Sequence, residues 1–167
     1  MYEKFGEFDS ALEINNKANE LKAAGDKDGI RKLGRENGLD VEDVNDFIRG
    51  DIDELTTPML AALGKINIEV MEYNIKGIFR EWISELQEAA TDPDMADAIR
   101  RKGKSISDFI ARTADYGFRH KATVDKRIVA KCPEIKKVIG NHEFSIGIPD
   151  KRERKKIMRE YYLGGNS

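Results

Sequence analysis

The chain has 167 residues, of which 36% are charged and 40% hydrophobic, and its formal net charge at pH 7 is -2. This length fits one domain, or one domain with a small appended module, and it is sufficient to bury a core without metal or disulfide support. The sequence has no run of about 18 apolar residues that would cross a bilayer, and with only four prolines its composition argues against wholesale disorder.

The near-neutral total conceals a division of charge along the chain. Residues 1–97 carry 11 basic and 23 acidic side chains, a net charge of -12, whereas residues 98–167 carry 18 and 8, a net charge of +10. The folded chain can therefore present two faces of opposite sign. These faces either pair with each other within the fold, keep the protein in solution, or contact partners.

Few residues suited to catalysis or metal binding are present. The chain has one cysteine, Cys132, and two histidines, His120 and His142, so an internal disulfide is excluded and a Cys/His zinc site would lack a ligand. Neither a Gly-rich phosphate loop nor a Gly-x-Ser-x-Gly elbow occurs. We therefore expect no enzymatic activity and no cofactor. Because no signal peptide is visible, we expect a cytoplasmic location.

Three short helices are predicted first, each followed by a glycine. A capping box at Ser10–Glu13 opens the first helix, which ends at Gly25. Asp28 opens the second helix and Asp40 opens the third. Together they form an acidic module over residues 1–56. Its acidic candidates for partner binding are Asp40, Glu42, Asp43, Asp46, Asp51, Asp53 and Glu54.

The second and third helices have the spacing of a helix-turn-helix. Gly34 is the small residue of the first helix, Gly38 the turn residue, and Val44 the apolar residue of the would-be recognition helix. That helix is acidic, so DNA phosphates would repel it. We therefore interpret the pair as structural, and we expect its surface to suit a basic protein surface better than DNA.

The second part of the chain, residues 57–167, begins with a strong helix start at Thr57-Pro58. The apolar pattern over residues 59–90 predicts one long helix, a rod of roughly 45–50 Å. Tyr73, Phe79 and Trp82 lie on this helix. If they are exposed, they favour a homodimer or a protein-binding adaptor; alternatively, the flanking short helices bury them.

Shorter elements follow the long helix. The sequence predicts helices that open at Asp92-Pro93 and at Ser105, and a short helical segment over residues 124–131. Residues 138–146 predict a β-hairpin about a Gly-Asn turn, and a last helix is predicted over residues 151–163. The expected fold class is therefore mainly α, with one small hairpin.

Basic residues crowd two places in this second part. One surrounds Gly103, and the other is the last helix, where six of the nine residues 151–159 are cations. At about 100° per residue, several of these cations share one stripe, beside the apolar Ile157 and Tyr161. Such a surface is typical of contact with a nucleic-acid backbone; a solvated helix face and pairing with the acidic module are the alternatives. The basic candidates are Arg100, Arg101, Lys102, Lys104, Lys151, Arg152, Lys155, Lys156 and Arg159.

Several segments resemble proteins of mobile genetic elements. Met1–Phe8, Lys102–Ile106 and Arg159–Gly164 resemble small proteins carried by mobile elements of gut Firmicutes. Asp92–Arg119 resembles the PcfK-like group, as does the late pair Tyr161-Tyr162. This neighbourhood includes inhibitors of Cas9, the type II anti-CRISPR proteins. No residue role transfers with the resemblance.

The resemblance implies a non-enzymatic inhibitor that binds the Cas9–guide RNA complex and blocks target DNA binding or cleavage in a bacterial host cell. Effectors of this kind hold nucleic acids in basic channels. The acidic module would occupy such a surface in place of phosphate, while the basic part would contact guide RNA or DNA. The alternative function is an accessory DNA- or RNA-binding protein of a conjugative element or phage.

Overall fold

The computed structural model describes residues 3–164, so Met1 and Tyr2 of the first resembling segment lie outside the described residues. Within residues 3–164, the elements are α1 (Ala11–Ala23), α2 (Lys27–Glu36), α3 (Val41–Arg49), α4 (Pro58–Glu72), α5 (Ile78–Ala89), α6 (Pro93–Arg100), α7 (Ile106–Arg119), β1 (Ala122–Thr123), α8 (Lys126–Val129), α9 (Pro133–Ile139), β2 (Ser145–Ile146) and α10 (Lys151–Leu163). The predicted fold class, mainly α with at most one small hairpin, is confirmed: the chain is mainly helical, and β1 and β2 form one small antiparallel sheet.

Local capping explains where most helices begin. Thr57 accepts a hydrogen bond from the backbone N–H of Leu60 at the start of α4, and Asp150 accepts one from Glu153 at the start of α10. The Glu153 carboxylate accepts the Asp150 N–H in return, which completes a capping box. One predicted start is wrong: α2 is capped by Asp26 rather than opened at Asp28.

The prediction of one long helix over residues 59–90 is wrong. The chain turns between α4 and α5, where Asn74 has a φ of +50° and Gly77 a φ of +60°. A right-handed helix cannot continue through these left-handed conformations. The turn allows both helices to pack into the same core, where Trp82 is buried. The adaptor and homodimer interpretations both depended on one long helix over residues 59–90, which the structure does not contain.

The small sheet does not follow the predicted hairpin over residues 138–146. Its strands are β2 and β1, which pair antiparallel with Ala122 opposite Ile146. The expected first strand is instead the end of α9. Pro133 at the first position of α9 predisposes the chain to begin a helix, and this local effect outweighs the β propensity of Val138 and Ile139.

Two clusters of buried apolar side chains hold the helices together. The first lies among α1, α2, α3 and the start of α4, and it includes Leu33 and Phe47. The second lies among α4, α5, α6, α7 and α10, and it includes Trp82 and Phe109. Burying each such side chain stabilises the fold by about 1.5–3 kcal/mol. Helix α4 contributes to both clusters and so joins the N-terminal helices to the rest.

Residues 120–148 form an arm that has no buried side chain. The arm contains β1, α8, α9 and β2, and it leaves the helical body where the backbones of Gly117 and Gly147 meet. A Cβ atom added to Gly117 would collide with the carbonyl oxygen of Gly147, so this crossing requires glycine. Across residues 3–164, no helix has both the length and the hydrophobicity that a bilayer span requires.

Candidate interaction surfaces

The helix-turn-helix spacing corresponds to a packed pair of helices. Gly34 of α2 faces Val44 of α3 so closely that a Cβ at Gly34 would collide with the Val44 side chain. Gly38, between the two helices, has a φ of +66°. The expected packing of α2 against α3 is therefore present, and it explains why small residues stand at these two positions.

The acidic candidates lie on α3 and on the loop that follows it. Arg49 binds both Asp46 and Asp51, and its Nε lies 2.7 Å from Asp51, so part of this charge is satisfied locally. The carboxylates of Asp53 and Glu54 form no ion pair with any residue between 3 and 164. Five of the seven acidic candidates are exposed: Asp40, Glu42, Asp51, Asp53 and Glu54.

Two basic residues of helix α10, Lys151 and Arg154, form ion pairs that attach it to α5. Arg154 donates two hydrogen bonds to the Glu85 carboxylate, from Nε to Oε2 at 3.0 Å and from Nη2 to Oε1 at 2.6 Å. These two side chains are 11% and 10% exposed. Lys151 lies 3.9 Å from Glu88 on the same helix α5. Hydrogen bonding to Glu85 raises the pKa of Arg154, which stays charged.

The remaining cations of α10 face solvent. Met158, Tyr161 and Tyr162 anchor the opposite side of the helix in the core. Lys156 lies 3.8 Å from Glu160, one turn later on α10, and this exposed contact contributes little. No ion pair within residues 3–164 links the acidic module to α10, so the two charged regions do not neutralise each other in that way. The exposed basic stripe comprises Arg152, Lys155, Lys156 and Arg159.

Arg100 is not a surface cation, so its prediction as a partner-binding residue is wrong. It is 1% exposed and donates from Nη2 to the side-chain oxygen of Asn37 at 2.5 Å. Its Nε and Nη1 atoms are buried without a hydrogen-bond partner within the described part of the chain. The reason is the helical period of α6: Arg100 follows Ala96 by one turn, on the face that packs against α4.

The other basic candidates near Gly103 divide into exposed and engaged residues. Arg101 and Lys102 are exposed. Lys104 donates to the backbone oxygen of Tyr161, and its Nζ lies 4.7 Å from the Tyr161 ring centroid. Arg112 approaches the same ring, with its guanidinium carbon 5.0 Å from the centroid. Sequence reasoning missed Arg112 because it does not belong to a cluster of cations: the nearest basic residues in the sequence are Lys104 and Arg119.

The arm contains further cations that the sequence analysis did not select. The density of lysines between residues 121 and 137 was the available signal, but they are spread over several elements rather than on one helical stripe. The structure brings two of them, Lys126 and Lys136, to the lining of one cavity in the arm. The exposed lysines of the arm are Lys121, Lys126, Lys131, Lys136 and Lys137.

A buried polar network joins the N-terminal segment to α4 and to the start of α7. Lys65 donates to Glu7 at 2.6 Å and to the backbone oxygen of Arg101 at 2.8 Å. Glu69, one turn later, accepts the backbone N–H of Ile106 at 2.7 Å. Burial raises the pKa of Glu69 above its ordinary value, and the bond from Ile106 and the charge of Lys65 oppose this rise. The network positions the Gly103 loop.

The chemistry-bearing side chains considered for catalysis are dispersed. Cys132 contacts the backbone oxygen of Ile128, His120 stacks on Tyr116, and His142 lines the cavity of the arm. In the described ranges, no group of three or more His, Cys, Asp or Glu residues is arranged to hold a metal ion.

Comparison of the chain with models of protein families, with curated proteins and with solved structures found no match.

Proposed function

We propose that the protein is a non-enzymatic inhibitor of a CRISPR effector, which binds guide-loaded Cas9 and blocks target DNA binding or cleavage. The observation that supports this most is the pair of exposed, oppositely charged surfaces, one on and after α3 and one on α10. Three segments resemble small proteins of mobile genetic elements, a neighbourhood that includes Cas9 inhibitors, and this resemblance suggests the partner.

A guide-loaded effector offers a complement to each surface. Its nucleic-acid channel is basic and suits the carboxylates of the acidic module, whereas the guide RNA and the target DNA are anionic and suit the cations of α10. Complementary charge accelerates association and selects the orientation of binding. A protein that engages both complements would occupy the channel before the target duplex enters it.

The primary test is DNA cleavage by guide-loaded Cas9 with increasing amounts of the protein, for several Cas9 orthologues. We expect cleavage to fall with added protein. Changing Asp53 and Glu54 to Asn and Gln should weaken the inhibition, since the module loses two exposed carboxylates. Glu72→Gln with Glu81→Gln is the matched control, because both side chains are exposed carboxylates outside the module. Undiminished cleavage at a large molar excess would refute the proposal.

The blocked step is identified by binding of labelled target DNA to guide-loaded Cas9. If the protein prevents target binding, the shifted complex disappears as the protein is added. If it prevents cleavage alone, the shifted complex persists while the DNA stays intact.

An accessory DNA- or RNA-binding protein is the second candidate, favoured by the exposed stripe of α10. This second function predicts that the protein binds nucleic acid without any effector and that the affinity depends strongly on salt concentration. Neutralising Arg152, Lys155, Lys156 and Arg159 should flatten the dependence of log affinity on log salt by about 0.9 for each duplex phosphate that the protein no longer neutralises. Lys27→Gln with Arg35→Gln is the control, because both cations are exposed on α2. Gel shifts with naked DNA, guide RNA and guide-loaded Cas9 distinguish the two candidates.

A further inference from the structure

The arm is a second basic surface, separate from α10. Residues 120–148 contain six cations and three carboxylates. Arg127 is held by Asp125, with its Nη2 2.8 Å from the carboxylate. The five lysines of the arm form no ion pair within residues 3–164. The charges of these lysines are not neutralised by ion pairs within the arm, so they are available to an anionic partner.

Part of this charge converges on a cavity. The cavity has a volume of about 320 Å³ and lies between β1, α8, α9 and the loop that precedes β2. Its lining includes Lys126, Lys136 and His142, and Glu143 is the one carboxylate among the lining residues. A concave surface with two lysines and one carboxylate favours an anionic ligand, such as a phosphate, over a cationic one.

An exposed aromatic ring stands where the arm leaves α7. Phe118 is 66% exposed, although a phenyl ring is ordinarily buried in a folded core. The Nζ atom of Lys121 lies 4.0 Å from the centroid of this ring. Lys121 covers one face of this largely exposed ring. The ring and the cation together provide the two contacts that single-stranded nucleic acid uses, base stacking and phosphate neutralisation.

We propose that the arm binds single-stranded nucleic acid, with a base stacked on Phe118 and phosphates on the lysines of the arm. A duplex suits this surface less well, because its bases are already stacked and their faces cannot reach the ring. The proposal goes beyond the inhibition of Cas9 and beyond the stripe of α10, since it concerns different residues and requires no effector. RNA and DNA share the chemistry that the arm would recognise.

The test is fluorescence anisotropy of the full chain with labelled oligothymidine, oligouridine and a mixed-sequence duplex over a range of salt. We expect Phe118→Ala to weaken single-strand binding about fivefold or more and duplex binding much less, and Phe118→Tyr to retain the affinity. Changing Lys126, Lys131 and Lys136 to Gln should flatten the single-strand salt slope by about 2. Met71→Ala is the matched control, because Met71 is an exposed apolar residue outside the arm.

Comparing the two oligonucleotides shows whether RNA or DNA is preferred. Unchanged single-strand affinity in Phe118→Ala and in the triple lysine variant would overturn the inference, as would equal losses for single strand and duplex. If the arm variants weaken inhibition of Cas9 while oligonucleotide binding stays the same, the arm contacts protein and the inference is wrong. Cleavage is measured separately, so failure of the inhibitor proposal is recognised independently.

Discussion

The ion pair between Arg154 and Glu85 holds α10 in the orientation that exposes its basic stripe. The two residues are 69 positions apart in the sequence, and Arg154 also donates to the backbone oxygen of Pro149 at 2.5 Å. We predict that Arg154→Ala destabilises the fold and loosens the attachment of α10.

The size of the effect follows from burial. Removing one partner of a fully buried pair costs about 3–5 kcal/mol, because the remaining charge is left without compensation. In Arg154→Ala, the Glu85 carboxylate is 10% exposed and can gain some contact with water, so we expect a loss of about 2–3 kcal/mol. A double variant, Arg154→Met with Glu85→Leu, removes both charges and should recover most of this loss.

The assay is urea unfolding at constant pH, with the free energy taken from the midpoint and slope. Lys156→Ala is the matched control, because Lys156 and its partner Glu160 are 77% and 66% exposed and lie on the same helix. We expect this variant to lose no more than about 0.5 kcal/mol. Equal losses in the Arg154 and Lys156 variants, or no recovery in the double variant, would refute the reasoning.

Two further predictions concern the core. Burial raises the pKa of Glu69, so the folded chain binds this proton more tightly than the unfolded chain does. The resulting stabilisation is present below the unfolded pKa and is lost as the pH rises through the folded pKa. In urea unfolding, we expect the free energy of unfolding of the parent chain to fall relative to that of Glu69→Gln as the pH rises from 4.5 to neutral. A difference between the two free energies that does not change with pH would contradict this. Gly38 and Gly25 have φ values of +66° and +71°, but only at Gly38 would a Cβ collide with backbone, at the Gly64 carbonyl oxygen. Thermal unfolding should therefore show a loss of about 1 kcal/mol for Gly25→Ala and about 1–3 kcal/mol more for Gly38→Ala; equal losses would disprove the proposed close contact.

Most features that depend on neighbours in sequence were predicted correctly, although the start of α2 and the helix α9 were not. The start of α4 follows from Thr57-Pro58, and the last helix predicted over residues 151–163 is α10, because a cap bonds backbone atoms two or three residues away. The mainly α fold class follows from the same local signals combined with apolar periodicity.

Features that depend on remote contacts were not predictable. The break between α4 and α5 has a weak local signal, since Asn74 and Gly77 are tolerated in many helices. It forms because turning the chain lets α5 bury Trp82 against α4. Arg100 looked like a surface cation because it has basic neighbours, yet the packing of α6 on α4 places it inside the fold.

The division of charge between the two halves of the chain is a matter of composition, so the sequence alone establishes it. Whether the halves neutralise each other depended on which side chains the folded chain brings within ion-pair distance. Arg154 and Lys151 of the basic half pair with Glu85 and Glu88 of the acidic half, so the halves neutralise each other in part at the contact of α10 with α5. The acidic module takes no part in this, and Asp46 of α3 pairs with Arg49 of the same helix. Tertiary packing therefore left both charged surfaces exposed, because short-range ion pairs form only between side chains that the fold places next to each other.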